Sequence, residues 1–230
     1  MNNKVMNMKR LVNITILTLL FVAPQQLMAQ WRIGASVGYG YNTYTVDRHY
    51  MTDYKDEGRW GLTAGMVGQY DFFDWLGLRA ELNWTEKGRR LSRSHIMETV
   101  DYKIYNHYLQ LPVMAAFSFG GSRVRGFCNA GLYGGYWMKS HYRGFDTNVI
   151  TDKTYLVEKD LDFDSERDQR WDFGLAGGLG VEWKFARHWA AQSEFRCYYS
   201  TTSVTRDYQR VSDPRYNTYT GIVFTAFYLF

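Results

Sequence analysis

Little in this sequence would interrupt a β-sheet. Proline occurs three times in 230 residues, so few positions lack the backbone donor that a ladder needs. No stretch sustains a 3.6-residue apolar period, which argues against a helical bundle. No repeat recurs and no Pro/Gly/Ser-rich linker divides the chain, so one domain is expected. Composition argues against disorder: 18% of the residues are aromatic and 21 are glycine, a mixture that favours strands and tight packing.

Cysteine is almost missing. Cys128 and Cys197 are the only two, with neither metal-ligand spacing nor a companion histidine. On the strand reading below they fall on non-adjacent strands, roughly 9–10 Å apart, too far for a disulfide. They are expected to be free thiols among apolar groups. Excess charge is lacking too. The formal net charge is +4, and three of the cations, Lys4, Lys9 and Arg10, open a segment with the features of a secretory signal. The mostly apolar run Leu11 to Val22 follows, then Leu27-Met28-Ala29. Residues 1–29 are expected to be removed after Ala29, since the apolar run is too short to favour an anchor. No cysteine follows the cut, so no lipid anchor is expected. Without those three cations the formal charge falls to near +1, and general basicity implies no nucleic-acid partner.

What the remaining chain has is period two. LGLRAELNWTEKGRR, Leu76 to Arg90, puts Leu76, Leu78, Ala80, Leu82 and Trp84 on one face and Gly77, Arg79, Glu81 and Asn83 on the other. A soluble sheet would bury the leucines; a membrane barrel would turn them to lipid and enclose the charges. Similar alternation marks about eight segments, near Trp31–Tyr41, Trp60–Phe72, Leu76–Lys87, Tyr105–Ser118, Val124–Met138, Trp171–Phe185, Trp189–Thr201 and Tyr216–Phe230. The connections at 73–75, 119–122 and 186–188 are short; those at 42–59, 88–104, 139–170 and 202–215 are long. Short periplasmic turns and long external loops are the pattern of an up-and-down outer-membrane barrel. The expected fold is all-β, an eight-stranded antiparallel transmembrane barrel over residues 30–230.

The polar face is also the small face, as in Gly34, Ser36, Gly38 and Gly40 or Gly174, Ala176, Gly178 and Gly180. Exposed glycine only weakens a strand, whereas a narrow lumen needs small residues beside a few long ones. Arg32, Arg79, Glu81, Gln110, Glu182, Lys184, Glu194 and Arg196 are therefore expected to form a polar network plugging the lumen. Both signs are present, as burial requires. Aromatics gather at the segment ends: Trp31, Phe72, Trp75, Phe117, Phe185, Trp189 and Phe230 toward the short turns, Tyr41, Trp60, Trp84, Tyr105, Tyr136 and Tyr199 toward the long loops. Two interfacial girdles would be arranged in this way.

LGLRAELNWTEKG, YLQLPVMAAF, FCNAGLYGGYW and FGLAGGLGVEW together resemble, in order and spacing, the strands of the PorT-type outer-membrane β-barrel family of Bacteroidetes, small barrels of the OmpX/OmpA kind. The chain departs from that pattern at Ala80 and Leu132, where proline is frequent, and at Gln110, where glutamate is usual. The resemblance implies an eight-stranded barrel in the outer membrane. The family takes its name from a protein of type nine secretion, and most members have no assigned task.

No catalytic, metal or cofactor site is expected. Some small barrels modify lipid A through His, Ser and an acid at the external rim. Here the histidines are His49, His95, His107, His141 and His188, and Ser94-His95 and Ser140-His141 are adjacent pairs. Neighbours on a strand point to opposite faces, so neither pair makes a nucleophile–base contact by itself. A lipid A-modifying enzyme is therefore the alternative to the main reading, a structural or interaction protein acting through its external loops. Lys87, Arg89, Arg90 and Arg93, with His95, are candidates for contact with the phosphates of lipopolysaccharide. Asp160, Asp162, Asp164, Glu166 and Asp168 open like a calcium loop, but Ser165 replaces the glycine and Trp171 the closing glutamate. Expected partners are outer-membrane lipid and lipopolysaccharide, the barrel-assembly machinery, which would read the terminal Phe230, and an envelope protein.

Overall fold

The computed structural model describes residues 30–46, 55–95, 98–148, 153–164, 166–206 and 214–230; the signal-segment expectation for residues 1–29 lies outside them. Among the described residues nine strands follow in order: β1 (Gln30–Val46), β2 (Lys55–Phe73), β3 (Leu76–His95), β4 (Glu98–Gly120), β5 (Val124–Asn148), β6 (Lys153–Asp160), β7 (Trp171–Ala186), β8 (Trp189–Ser203) and β9 (Arg215–Leu229). Eight of them close an antiparallel ring, from β1 through β5 to β7, β8 and β9, which pairs again with β1. Closure leaves the ring no unpaired edge, the condition for a sheet to cross a membrane. β6 stands outside the ring and, among the described residues, pairs only with the outer end of β5, from His141↔Asp160 to Asn148↔Lys153.

The faces are inside out relative to a soluble sheet. On β3, Leu78 and Leu82 are 45% and 48% exposed while Arg79 and Glu81 are 0% and 2% exposed. An apolar outer surface of this extent is stable only against hydrocarbon. Aromatic pairs mark both margins of the belt, Trp31–Tyr70 near the short turns and stacked Tyr39–Trp60 near the outer end. Cys128 and Cys197 are free and lie on the outer surface, on β5 and β8 with β7 between them.

Two expected loops are largely strand. The segment 88–104 continues as a β3–β4 hairpin paired as far as His95↔Glu98, and 139–170 contains the outer end of β5 and all of β6. Spanning needs only about 9–11 residues per strand, and β5 has 25. Val100, Tyr102, Ile104, Tyr142, Phe145, Tyr155 and Val157 keep the β-branched and aromatic content that favours pairing beyond the membrane. The mixed polarity of these segments had hidden it. The result is a β-extension, β3 to β6, that projects past the barrel on its external side.

Candidate functional site

The lumen is packed in tiers. Nearest the short turns, Arg32 meets Asp71 at 2.5 Å and Glu182 at 2.6 Å, and Gln192 donates to Glu182 at 2.8 Å. In the middle tier Arg79 donates to Glu81 and to Gln192 (2.5 and 2.7 Å), while Arg196 donates to Glu81, Glu194 and the Tyr198 hydroxyl. Asn83 donates to Glu81 Oε2 and Asn129 to Glu194 Oε1, oxygens that also accept from Arg196. Above it a tyrosine tier, Tyr133, Tyr198 and Tyr219 with Met114, fills the section. Tyr219 lies over Gly40, where a Cβ would stand 2.5 Å from its ring, which is why that lumen position carries no side chain. The outermost tier centres on Asp172, which accepts from Lys87 (2.7 Å), Ser200 (2.6 Å), Asn217 (3.0 Å) and Tyr133 (3.1 Å). The buried lumen cations Arg32, Arg79, Lys87 and Arg196 are matched in number by the buried Glu81, Asp172, Glu182 and Glu194.

The sequence-derived network is thus brought together at Arg32, Arg79, Glu81, Glu182, Glu194 and Arg196. Two members differ. Gln110 is buried, with neither amide atom hydrogen-bonded among the described residues. Lys184 lies at the periplasmic mouth, half-buried, and forms no ion pair among the described residues. Lys87, expected at an external phosphate, is 2% exposed and belongs to the lumen through Asp172. The period-two parity of Arg79 and Glu81 continues to Lys87, and that signal outweighs the basic run that follows it. Asp172 shares parity with Glu182 in the same way.

At the external end Arg89 faces the barrel mouth, its guanidinium 5.4 Å from the Tyr44 ring. Arg90 faces outward and holds Asp101 in a two-point pair at 2.6 and 2.9 Å, which keeps that carboxyl below its ordinary range. Arg93 lies in β3, its side chain outside the described set. Ser140 turns inward to Asn106 while His141 turns outward to Asp160 and Glu158, so their opposite facing is observed. His49, and the side chains of Ser94 and His95, fall outside the description. Of the acidic series, Asp160 pairs with Lys139 and His141 and Asp168 with Arg167. Among the described residues no cluster is arranged to hold a metal ion.

A closed antiparallel barrel with an apolar belt, a charged interior and an external β-extension is an outer-membrane barrel. The chain belongs to the family described as outer membrane protein beta-barrel domain, whose pattern matches residues 24–206, and its place is the outer membrane. Among solved structures it is similar to the attachment invasion locus protein Ail of Yersinia pestis (15% identity, 87% of this chain and 99% of that one, TM-score 0.39). It is also similar to OprG of Pseudomonas aeruginosa (12%, 88% and 96%, 0.47) and to the outer membrane protein W of E. coli (15%, 86% and 98%, 0.41). The search of curated proteins finds no match.

Proposed function

We propose that this barrel is an interaction protein whose external β-extension receives a partner at the cell surface or in the envelope. The observation that carries the reading is β6. Among the described residues it pairs on one side only, with β5, and its Leu156 is 84% exposed. A strand with one free side offers alternating donors and acceptors that an extended segment of another chain can complete. Lys153, Glu158, Lys159 and Asp160 guard that edge against indiscriminate pairing. A photo-crosslinking residue at position 156 should give a discrete adduct in whole cells, and the same residue at Leu179, in the lipid belt, should not. Reproducible absence of an adduct from position 156 counts against the reading.

Contact with lipopolysaccharide phosphate belongs to the same proposal, supported by Arg90 and by Lys103, Lys139 and Arg143, which share its outward face. A secretion-accessory task is its finer form, supported by the PorT-type resemblance of the strand segments; unchanged protein export in a deletion strain would remove it. We also read the packed lumen as closed to ions.

A further inference from the structure

The outward face of the β-extension carries a row of charges. Cross-strand pairing aligns Arg90 on β3, Lys103 on β4, Arg143 on β5 and Glu158 on β6. Lys103 and Arg143 stand directly opposite each other and both are exposed. Like charges so placed destabilise a strand pair, and an anion between them would relieve it. The neighbouring acids are engaged: Asp101 accepts two bonds from Arg90, and Glu158 lies 3.3 Å from His141. Lys103 adds only to the field around Asp101, and neither Lys103 nor Arg143 forms an ion pair among the described residues. A pocket of about 280 Å³ lies beside the two cations, with Tyr105 toward the membrane and the cross-strand partners Phe145 and Leu156 on the far side.

Height decides what this pocket meets. Leu109 pairs with Trp84 and Tyr136 at the outer aromatic margin, and Lys103 lies six residues beyond it on β4. At about 3.4 Å per residue and a tilt of about 40°, Lys103 stands about 15 Å above that margin. The headgroup layer accounts for only about 5–8 Å of this. Lys103 also shares parity with the lipid-facing Leu109, Leu111 and Val113, so the pocket opens sideways over the neighbouring lipids and not along the barrel axis. We infer that it holds an acid-bearing sugar of the oligosaccharide that lipopolysaccharide carries above the lipid surface. The inference rests on the lipopolysaccharide contact proposed above and names the part of that molecule that is held. Ammonium and guanidinium groups bond the charged oxygens of a sugar phosphate or carboxylate, while Phe145 and Leu156 offer an apolar wall to its C–H face. The volume, near the lower end of the roughly 300–1,000 Å³ of small-molecule pockets, suits one sugar ring. Arg90 and Lys139 share the face but are held by Asp101 and Asp160, which leaves Lys103 and Arg143 to the ligand.

Isothermal titration of the full barrel, refolded in zwitterionic detergent, tests it with the water-soluble oligosaccharide released from lipopolysaccharide by mild acid, used as released and after its acidic groups are removed. The acidic form should bind, more weakly as sodium chloride is raised, and the neutralised form should not. Lys103→Gln and Arg143→Gln should each weaken binding by about five- to tenfold, while heat-modifiable gel mobility shows that they still fold. Arg123→Gln, in the turn at the other end of the barrel, should leave binding unchanged. Intact lipopolysaccharide should displace the oligosaccharide and lipid A alone should not. No heat from millimolar acidic oligosaccharide, equal binding of the neutralised form, full affinity in both variants, or displacement by lipid A would overturn the inference. Binding of intact lipopolysaccharide by the same protein would then show that the broader contact stands without it.

Discussion

Arg196 on β8 reaches across the lumen to Glu81 on β3, the diametrically opposite strand, and donates two hydrogen bonds of 2.5 and 2.9 Å to its carboxylate. Arg79 donates to the same carboxylate, so one anion holds two cations at full burial. Glu81→Ala removes the shared partner and leaves Glu194 as the one carboxylate beside Arg79 and Arg196 among the described residues. Stranding a buried charge costs about 3–5 kcal/mol. Urea unfolding in lipid vesicles should show a loss of that size, and a change below about 1 kcal/mol would mean that the tier is not held by this carboxylate.

On the other face of the same strand the sign of the argument reverses. Leu82 neighbours Glu81 in sequence yet faces out from the belt. Leu82→Arg should cost about 2–4 kcal/mol near the bilayer midplane and reduce the heat-modifiable, folded form. Normal assembly of this variant would contradict the assignment of faces.

Adjacent residues with opposite requirements explain how much the sequence disclosed. Alternation through LGLRAELNW fixes which residues share a face, and the unequal connections show which way the barrel points. Side-chain parity also held the answer for Lys87, whose place in the basic run EKGRR suggested an external role. Partners across the lumen were not legible, because Arg196 and Glu81 are 115 positions apart and no local rule couples them. β6 was hidden for another reason: neither of its faces is apolar throughout, so period two leaves no trace.

The pairing of β6 with β5 should depend on acid. Hydrogen bonds from Lys139 and His141 hold the Asp160 carboxyl below its ordinary value near 3.8. A native carboxyl that titrates lower than the unfolded one stabilises the pairing above the unfolded value, and the contribution is lost as pH falls through the native one. Glu158 faces the same histidine. Amide exchange, corrected for intrinsic rates, should therefore accelerate in β6 below about pH 3.8. These partners are largely exposed, so the barrel strands should keep their protection. Exchange in β6 that is independent of pH across that range would remove the ion pairs as its anchor.

Closure of the lumen to ions is testable through the same Glu81 carboxylate. Arg79 and Arg196 are wholly buried between opposite walls and the tyrosine tier lies over them, and the proposed closure rests on that packing. Negligible conductance in planar bilayers is expected, and stable channels from the unaltered protein would refute closure. Glu81→Ala combined with Arg196→Ala removes one cation and one anion and leaves Arg79 with Glu194, 3.6 Å away. Charge stays balanced while the two side chains that span the lumen are truncated. The double variant should therefore fold better than Glu81→Ala alone and admit small, resolvable currents. Failure to conduct would assign closure to the tyrosines, and Tyr219→Ala would then be the variant expected to conduct.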